Sequence, residues 1–373
     1  MNDVEELLSR GVSEVIDRKH LEDKLNSGAK LRIKLGIDPT SSNIHIGRAV
    51  QLWKLRAFQD LGHTAVFIVG DATGVIGDTS DKESERPMLT EDQVKSNMET
   101  YLDQAFKILD PEKTETHYNS EWLSKLGFVE LAKMANLFGL HEFESREVIA
   151  KRLKAGQRVS SQELLYPLMQ GYDSVAIKAD VELGGSDQRY NLLAGRRIQP
   201  LYGQEPQDIM MMELLEGLDG RKMSSSWGNV INITDKANDM FGKVMSAKDA
   251  LLPRYFYLCT KVSQEEATEI LKGHPKEAKM RLAFEITKIY HGESRAKDAQ
   301  ENFEETFSKG GIPKDVKTVK ASKDKSLVEV LMEAGLVSSK TEFNRLQKAG
   351  AIEEIENGVY RVGKHRFLRI ETL

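Results

Sequence analysis

Leu31-Arg32-Ile33-Lys34-Leu35-Gly36-Ile37-Asp38-Pro39-Thr40, followed shortly by His45-Ile46-Gly47-Arg48, is the stretch that decides the fold. The apolar run Leu31 to Ile37 reads as a buried strand, Asp38-Pro39-Thr40 as a tight turn, and the amphipathic segment beyond as a helix. A second apolar run, Ala65 to Gly70, follows the helical pattern of Val50 to Leu61. Strand, helix, strand is the unit of parallel sheet. Both strands end in glycine-bearing turns on one edge. Ligands of open parallel sheets bind outside the carboxyl ends of the strands, so a site is predicted where Gly36 to Gly47 meets Gly70 to Asp78.

Working outward, residues 1 to 30 carry Val4, Leu7, Leu8, Val12, Val15 and Ile16 at helical spacing, which predicts short helices before the first strand. Glu91 to Leu109 reads as helical, and Lys151 to Lys178 as two helices divided near Gly156. The short apolar piece Val181 to Leu183 runs into Gly184-Gly185-Ser186-Asp187-Gln188, a second nucleotide-facing turn that opens another helix. Lys222-Met223-Ser224-Ser225-Ser226 lies in a Gly- and Ser-flanked loop. One mobile lysine on such a loop can reach a polyphosphate, and with the first turn it points to ATP chemistry. Residues 236 to 308 read as a run of helices, with Pro253 at a helix start. Gly310-Gly311 and Pro313 place a linker at 309–325. The expected division is therefore a sheet domain over 1–220, a lysine-loop and helical domain over 221–308, the linker, and a small domain over 326–373.

Composition sets outer limits. Apolar residues at 40% and charged residues at 30% describe a globular chain of 373 residues, long enough for two or three domains. A formal net charge of −5 argues against a protein that coats nucleic acid generically. From Gly311 onward, however, Lys and Arg outnumber Asp and Glu by 12 to 9, which favours an RNA-facing module there. The single cysteine, Cys259, excludes an internal disulfide framework and a multi-cysteine zinc site, and reads as a packed, inert thiol. The acidic start lacks a signal-peptide core, and no apolar run nears the roughly 18 residues of a membrane span. A cytoplasmic protein is expected.

With these motifs in view, the chain resembles the tyrosyl-tRNA synthetases, class I aminoacyl-tRNA synthetases of the bacterial type. Their HIGH signature stands here as His45-Ile46-Gly47-Arg48 and their KMSKS signature as Lys222-Met223-Ser224-Ser225-Ser226. Gly70-Asp71-Ala72-Thr73-Gly74-Val75-Ile76-Gly77-Asp78, Tyr166-Pro167-Leu168-Met169-Gln170-Gly171-Tyr172-Asp173 and Gly184-Gly185-Ser186-Asp187-Gln188 narrow the resemblance to tyrosine. It implies an α/β fold: a Rossmann-like parallel-sheet catalytic domain, a helical domain and a small C-terminal S4-like α+β domain. It also implies a homodimer, with ATP and L-tyrosine as substrates, Mg2+ on the phosphates, tRNA(Tyr) as partner, no protein metal site and no membrane association.

The implied reaction begins with attack of the tyrosine carboxylate on the α-phosphate of ATP and ends with acyl transfer to the 3′-terminal adenosine of tRNA. No protein nucleophile is needed, because the carboxylate is already ionised; alignment and charge stabilisation must do the catalysis. The resemblance gives catalytic roles to Thr40, His45, Lys82, Arg86 and Lys222, the last three as cations around the leaving pyrophosphate. Lys82 and Arg86 can otherwise be read as parts of an exposed charged loop. ATP contacts are implied for Gly36, Asp38, Gly47, Arg48, Gly185, Asp187, Met223, Ser224 and Ser225, with Asp187 on the ribose. Glycines at 36 and 47 let backbone approach adenosine closely.

Tyr166, Gln170 and Asp173 share one face of a helix by spacing alone, and a polar face within an apolar helix needs a cleft or a ligand to satisfy it. The family reading assigns Asp78, Tyr166 and Gln170 to the α-ammonium, Asp173 to the phenolic hydroxyl and Gln188 to the substrate side. A pocket that bonds a hydroxyl rejects phenylalanine by leaving an acceptor unpaired; tyrosyl-tRNA synthetase is the standard worked case of this effect.

Three positions depart from the family pattern. Arg48 stands in place of the last histidine of the first signature, and Ser225 in place of the second lysine of the other. Position 34, tyrosine in some members, is lysine, and pairing with Asp173, lining the pocket or pointing away are all open to it. Leu327 to Leu336 and Ser338 to Gly350 resemble an S4 RNA-binding domain, with Lys340, Arg345 and Lys348 near one helical face suited to tRNA phosphates. Tryptophanyl-tRNA synthetase, which shares the fold and both signatures, and a non-catalytic RNA-binding paralogue are the rival readings.

Overall fold

The central parallel strands bury residues on both faces and so need cover on both, and this requirement organises the first part of the chain. The computed structural model describes residues 3–78, 88–308, 316–322, 325–356, 358–363 and 366–372. They fall into two compact units, Met1–Tyr290 and His291–Leu373. In the first unit, β1 (Val12–Ile16), β2 (Arg32–Ile37), β3 (Thr64–Val69), β4 (Thr114–Tyr118), β5 (Val181–Gly185) and β6 (Asp208–Met212) form a sheet in the order β1-β6-β5-β2-β3-β4. All neighbours run parallel except β1 against β6. Between β2 and β3 runs helix α1 (Ile46–Asp60), the predicted crossover.

Two features differ from the sequence reading. Val12, Val15 and Ile16, expected in a helix, form strand β1 with Val15 opposite Met210 and Ile16 opposite Ile209. Gly11, at φ +68°, follows the helix Asp3–Ser9, and the β-branched residues after it favour the extended chain. Asp17, itself left-handed at φ 62°, ends the strand and accepts a hydrogen bond from the His20 N–H to start the helix Arg18–Asn26. The helix expected over Glu91 to Leu109 is two, Glu91–Met98 and Tyr101–Ala105.

Helix α2 (Asp71–Ile76) follows β3, α3 (Gln162–Ile177) precedes β5, and α4 (Arg189–Ile198) follows it. α3 and α4 cross at glycines. A Cβ on Gly171 would lie 2.7 Å from Ile198 Cδ1 and 3.1 Å from the Ala194 carbonyl carbon, so only glycine lets the helices approach this closely. The crossing seats α3, which carries Tyr166 and Gln170.

Helices Ala237–Met245, Leu252–Cys259, Gln264–Lys272 and Pro275–His291 continue the chain as predicted, with Pro253 in the first turn of its helix. The break between compact units falls at Tyr290/His291. Cys259 is buried, and burial pushes its thiol up to about 12, in keeping with an inert role. No described helix is long and apolar enough to cross a membrane.

In the second unit, β7 (Thr318–Ala321), β8 (Ile352–Glu356), β9 (Val359–Val362) and β10 (Arg366–Thr372) form a sheet in the order β7-β10-β9-β8. β7 lies inside the segment expected to be a linker; it pairs in parallel with β10, Val319 opposite Ile370. α5 (Leu327–Glu333) and α6 (Lys340–Lys348) supply Val330, Leu331 and Phe343 to a core shared with Val362 and Leu368.

Candidate active site

At the carboxyl ends of β2 and β5 the first unit opens into a cleft of about 410 Å³. It lies beside Gly36 to Gly47 as expected, but of Gly70 to Asp78 only Asp78 lines it. Gly36, Asp38, Thr40, His45, Gly47 and Arg48 line one wall, Asp187, Gln188, Lys222, Met223, Ser224 and Ser225 another, and Asp78, Tyr166 and Gln170 lie between. Most of the sequence-predicted site is thus brought together. Lys82 and Arg86 lie outside the described residues. Lys340, Arg345 and Lys348 are exposed on α6 of the second unit.

The turn after β2 is held from several directions. The Thr40 N–H donates to the Asp38 carbonyl at 2.8 Å, and the Asp38 carboxylate accepts from Thr73 Oγ1 at 2.7 Å and the Tyr166 hydroxyl at 2.8 Å. Arg48, the departure from the first signature, donates from Nη2 to Thr40 Oγ1 at 3.0 Å and from Nη1 to the Asp38 carbonyl at 3.2 Å and the Tyr101 hydroxyl at 2.5 Å. Its length, which a histidine lacks, lets it brace the turn while still lining the cleft. A Cβ on Gly36 would meet nothing within 4 Å, so backbone faces open space there.

His45 caps α1, its Nδ1 accepting from the Arg48 N–H at 3.3 Å. Burial, then the nearby charges of Arg48 and Lys222, lower its pKa to about 3. A neutral ring whose Nδ1 accepts must carry its proton on Nε2, so His45 offers a donor at any physiological pH. A Cβ on Gly47 would stand 3.1 Å from that Nδ1 and 3.4 Å from Met223 Sδ, so glycine here also makes room for the imidazole.

The lysine loop hangs on Asn229, whose Oδ1 accepts from the Ser224 N–H at 2.9 Å while its Nδ2 donates to the Lys222 carbonyl at 3.1 Å. Lys222 Nζ meets Asp187 Oδ2 at 2.8 Å. Ser225 and Ser41 bond through their hydroxyls at 3.2 Å. Gly185 does not line the cleft as expected for an ATP contact. A Cβ there would be 2.4 Å from Asp187 Oδ1, so its place is beside that carboxylate.

Deeper in, Asp78 accepts from Gln188 Nε2 at 2.6 Å. Asp173 does not join the lining. It is buried, accepts from Trp122 Nε1 at 2.8 Å and Asn119 Nδ2 at 3.3 Å, and burial raises its pKa to about 7. Asn119 also donates to Thr73 Oγ1 at 2.9 Å, so a polar chain runs from Asp38 through Thr73 and Asn119 to Asp173. Lys34 neither pairs with Asp173 nor lines the cleft. It is fully buried and pairs with Glu182 at 2.8 Å, directly across from it on β5. The sequence reading missed Glu182, Thr73, Asn119 and Trp122; the last two follow β4, a polar edge strand without an apolar signal.

A family profile described as tRNA synthetases class I (W and Y) matches residues 26–308 of this chain. The chain belongs to this family. The synthetase is 45% identical to a tyrosine–tRNA ligase of Thermotoga maritima, covering 98% of this chain and 96% of the relative. It is 46% identical to one of Nitratidesulfovibrio vulgaris, covering 98% and 97%. Among solved structures, a tyrosyl-tRNA synthetase of Archaeoglobus fulgidus complexed with L-tyrosine superposes with a TM-score of 0.64 at 21% identity, over 80% of this chain and 100% of that one. A truncated mitochondrial tyrosyl-tRNA synthetase of Aspergillus nidulans gives 0.68 at 21%, over 82% and 94%. Both structural likenesses bear on the fold.

Metal-binding potential in the synthetase lies elsewhere. Among the described residues, Asp17, His20 and Asp208 form the one group of His, Cys, Asp and Glu able to share an ion. Asp208 begins β6, at the sheet edge opposite the cleft, and Lys24 at 3.7 Å and Arg196 at 3.5 Å already balance its charge.

Proposed function

We propose that this synthetase is a tyrosine–tRNA ligase, which activates L-tyrosine with ATP and transfers it to the 3′-terminal adenosine of tRNA(Tyr). The observation that carries the reading is the gathering of both signatures and Asp78, Tyr166 and Gln170 around one cleft. The near full-length similarity to tyrosine–tRNA ligases supports it.

On this reading Asp78 and Gln170 accept from the α-ammonium, while Tyr166, its hydroxyl on Asp38, ties the amino-acid wall to the ATP turn. The carboxylate then stands in line with the α-phosphate. Thr40, the Nε2 proton of His45 and Lys222 stabilise charge growing on the β- and γ-phosphates, a term of about 10²–10³ per donor in comparable sites. Neutral His45 is suited to this role, since it neither gains nor loses charge as pyrophosphate leaves. Gly36, Gly47 and Arg48 border the adenosine, and Asp187 takes the ribose once Lys222 turns to the phosphates. Lys82 and Arg86 add cations there. Asp38, Asp78 and Asp187 are each engaged by side-chain donors, so Mg2+ enters as part of the ATP substrate and not as a resident of the protein.

Two further partners belong to the proposal. Phe128, Val129 and Leu140, exposed at 85%, 69% and 60%, form apolar surface suited to a second copy of the chain, as a homodimer requires. Lys340, Arg345 and Lys348 offer tRNA phosphates a basic helix, and we place the work in the cytoplasm. Tyrosine-dependent exchange of pyrophosphate into ATP tests the activity. Exchange with tryptophan alone would move the protein to the other branch of its family, and exchange with no amino acid would remove the enzyme reading.

A further inference from the structure

Lys34 and Glu182 stand side by side on the face of the sheet that α3 covers, both essentially inaccessible to solvent. An ion pair in such a place is unusual, because desolvating two charges offsets much of their attraction. Here the surplus hydrogen-bonding capacity of both groups is directed at α3. Lys34 Nζ donates to the Gln170 carbonyl at 2.7 Å and to Ser174 Oγ at 2.8 Å. Glu182 accepts from Gln170 Nε2 at 3.1 Å, from Ser174 Oγ at 3.3 Å and from Gln207 Nε2.

The bond from Gln170 has a directional consequence. An ionised carboxylate only accepts, so the amide group of Gln170 must turn its NH₂ toward Glu182. Gln170 lines the cleft, and with its NH₂ committed to Glu182 the end of the amide left for a ligand there is Oε1, the acceptor. Without Glu182 the amide could rotate by half a turn and present a donor, which would repel an ammonium group. Lys34 fixes the same residue through its backbone, so the pair sets both the height of Gln170 and the sense of its amide.

We propose that the buried Lys34–Glu182 pair is a positioning device for amino-acid recognition, holding Gln170 with its carbonyl oxygen toward the α-ammonium of the substrate. The proposal rests on the reading of the cleft as a tyrosine site. Neither residue touches substrate; both act through Gln170.

Equilibrium binding of two ligands to the full-length protein tests it: L-tyrosine, and 3-(4-hydroxyphenyl)propionate, which lacks the ammonium. In Lys34→Met/Glu182→Leu the pair is replaced by apolar groups of similar size. Tyrosine binding should weaken about tenfold while binding of the des-amino ligand stays within about twofold. Lys34→Met/Glu182→Gln keeps an acceptor for the Gln170 amide and should retain most of the tyrosine affinity. Equal weakening of both ligands, or unchanged tyrosine binding in Lys34→Met/Glu182→Leu, overturns the proposal. If that variant does not fold, Glu182→Asp withdraws the carboxylate by one methylene and keeps the ion pair; it should still weaken tyrosine selectively, and failure to do so counts equally against the idea. Gln170→Leu separates the two layers of inference. If it leaves the ratio of the two affinities unchanged, the ammonium site itself is misassigned; if it changes the ratio and the pair variants do not, only the positioning role falls.

Discussion

Lys222 is the single lysine of its signature loop, because the residue three places on is Ser225, and its ammonium lies on Asp187 at 2.8 Å. On the proposed mechanism Lys222→Ala should slow tyrosyl-adenylate formation by about 10²–10³ while leaving equilibrium tRNA binding nearly unchanged. Pre-steady-state activation and filter binding read the two quantities separately, and lost tRNA binding with normal activation contradicts the role. Asp173 carries a different prediction. Its folded pKa, raised to about 7, exceeds its unfolded value of about 3.8, so the folded state holds a proton that the unfolded chain releases. The associated stability is present below pH 3.8 and disappears as pH rises through 7. Thermal unfolding of Asp173→Asn, compared with the parent protein, should show a relative gain that grows between about pH 4 and pH 8; a constant difference would exclude a raised pKa. His45 acts in the opposite sense, since its lowered pKa costs stability as pH falls from 6.5 toward 3. The subtraction of one variant from its parent removes that contribution. The contrast between Asp173 and Gln170 also shows what spacing can convey. Their common helix was legible from i, i+3 and i+4 positions, but the depth at which each ends depends on Trp122 and Asn119, far away in sequence.

Among elements, those with a strong apolar period were legible: β2, α1, β3 and the helix pair around Gly156 stand where the pattern puts them, whereas Gly184 and Gly185, expected in a turn, extend β5, and the turn begins at Ser186. Those that failed did so for physical reasons. β1 is too short to separate period 2 from period 3.6, and its partner β6 is supplied from nearly two hundred residues away. β4 is an edge strand with polar residues on both faces. β7, Thr318-Val319-Lys320-Ala321, is only four residues long and follows the breakers Gly310-Gly311 and Pro313, so its β-branched pair is hidden in a segment that reads as a linker until β10 supplies its partner. The α3–α4 crossing is the element-level feature most open to test. Gly171→Val would drive branched carbons into Ile198 and the backbone of Ala194, at an expected cost of about 1–3 kcal/mol from overpacking. A lower unfolding temperature together with a raised KM for tyrosine is expected, since Gln170 is the neighbour of the displaced residue; an unchanged unfolding temperature would mean that the helices part freely.

For the molecule as a whole, division into two compact units predicts separable functions. The cleft lies entirely within the first, so pyrophosphate exchange should be insensitive to charge changes on α6. In Lys340→Glu/Arg345→Glu/Lys348→Glu the KM for tRNA in aminoacylation should rise about tenfold or more, and the salt dependence of tRNA binding should weaken, because fewer phosphates release their counterions. An unaltered KM for tRNA would locate RNA recognition elsewhere. Within the sheet of this module, Glu353 on β8 is paired to Arg361 on β9.

The Lys222–Asp187 bridge bears on which ligands the cleft admits. On the proposed mechanism, opening it turns Lys222 toward phosphate and Asp187 toward hydroxyl donors. On that reading a nucleoside answers only the carboxylate, and free pyrophosphate answers only the ammonium. ATP answers both in a single encounter. On the proposed mechanism the bridge would thus act as a coincidence detector, favouring the complete nucleotide over either of its halves before any chemistry begins.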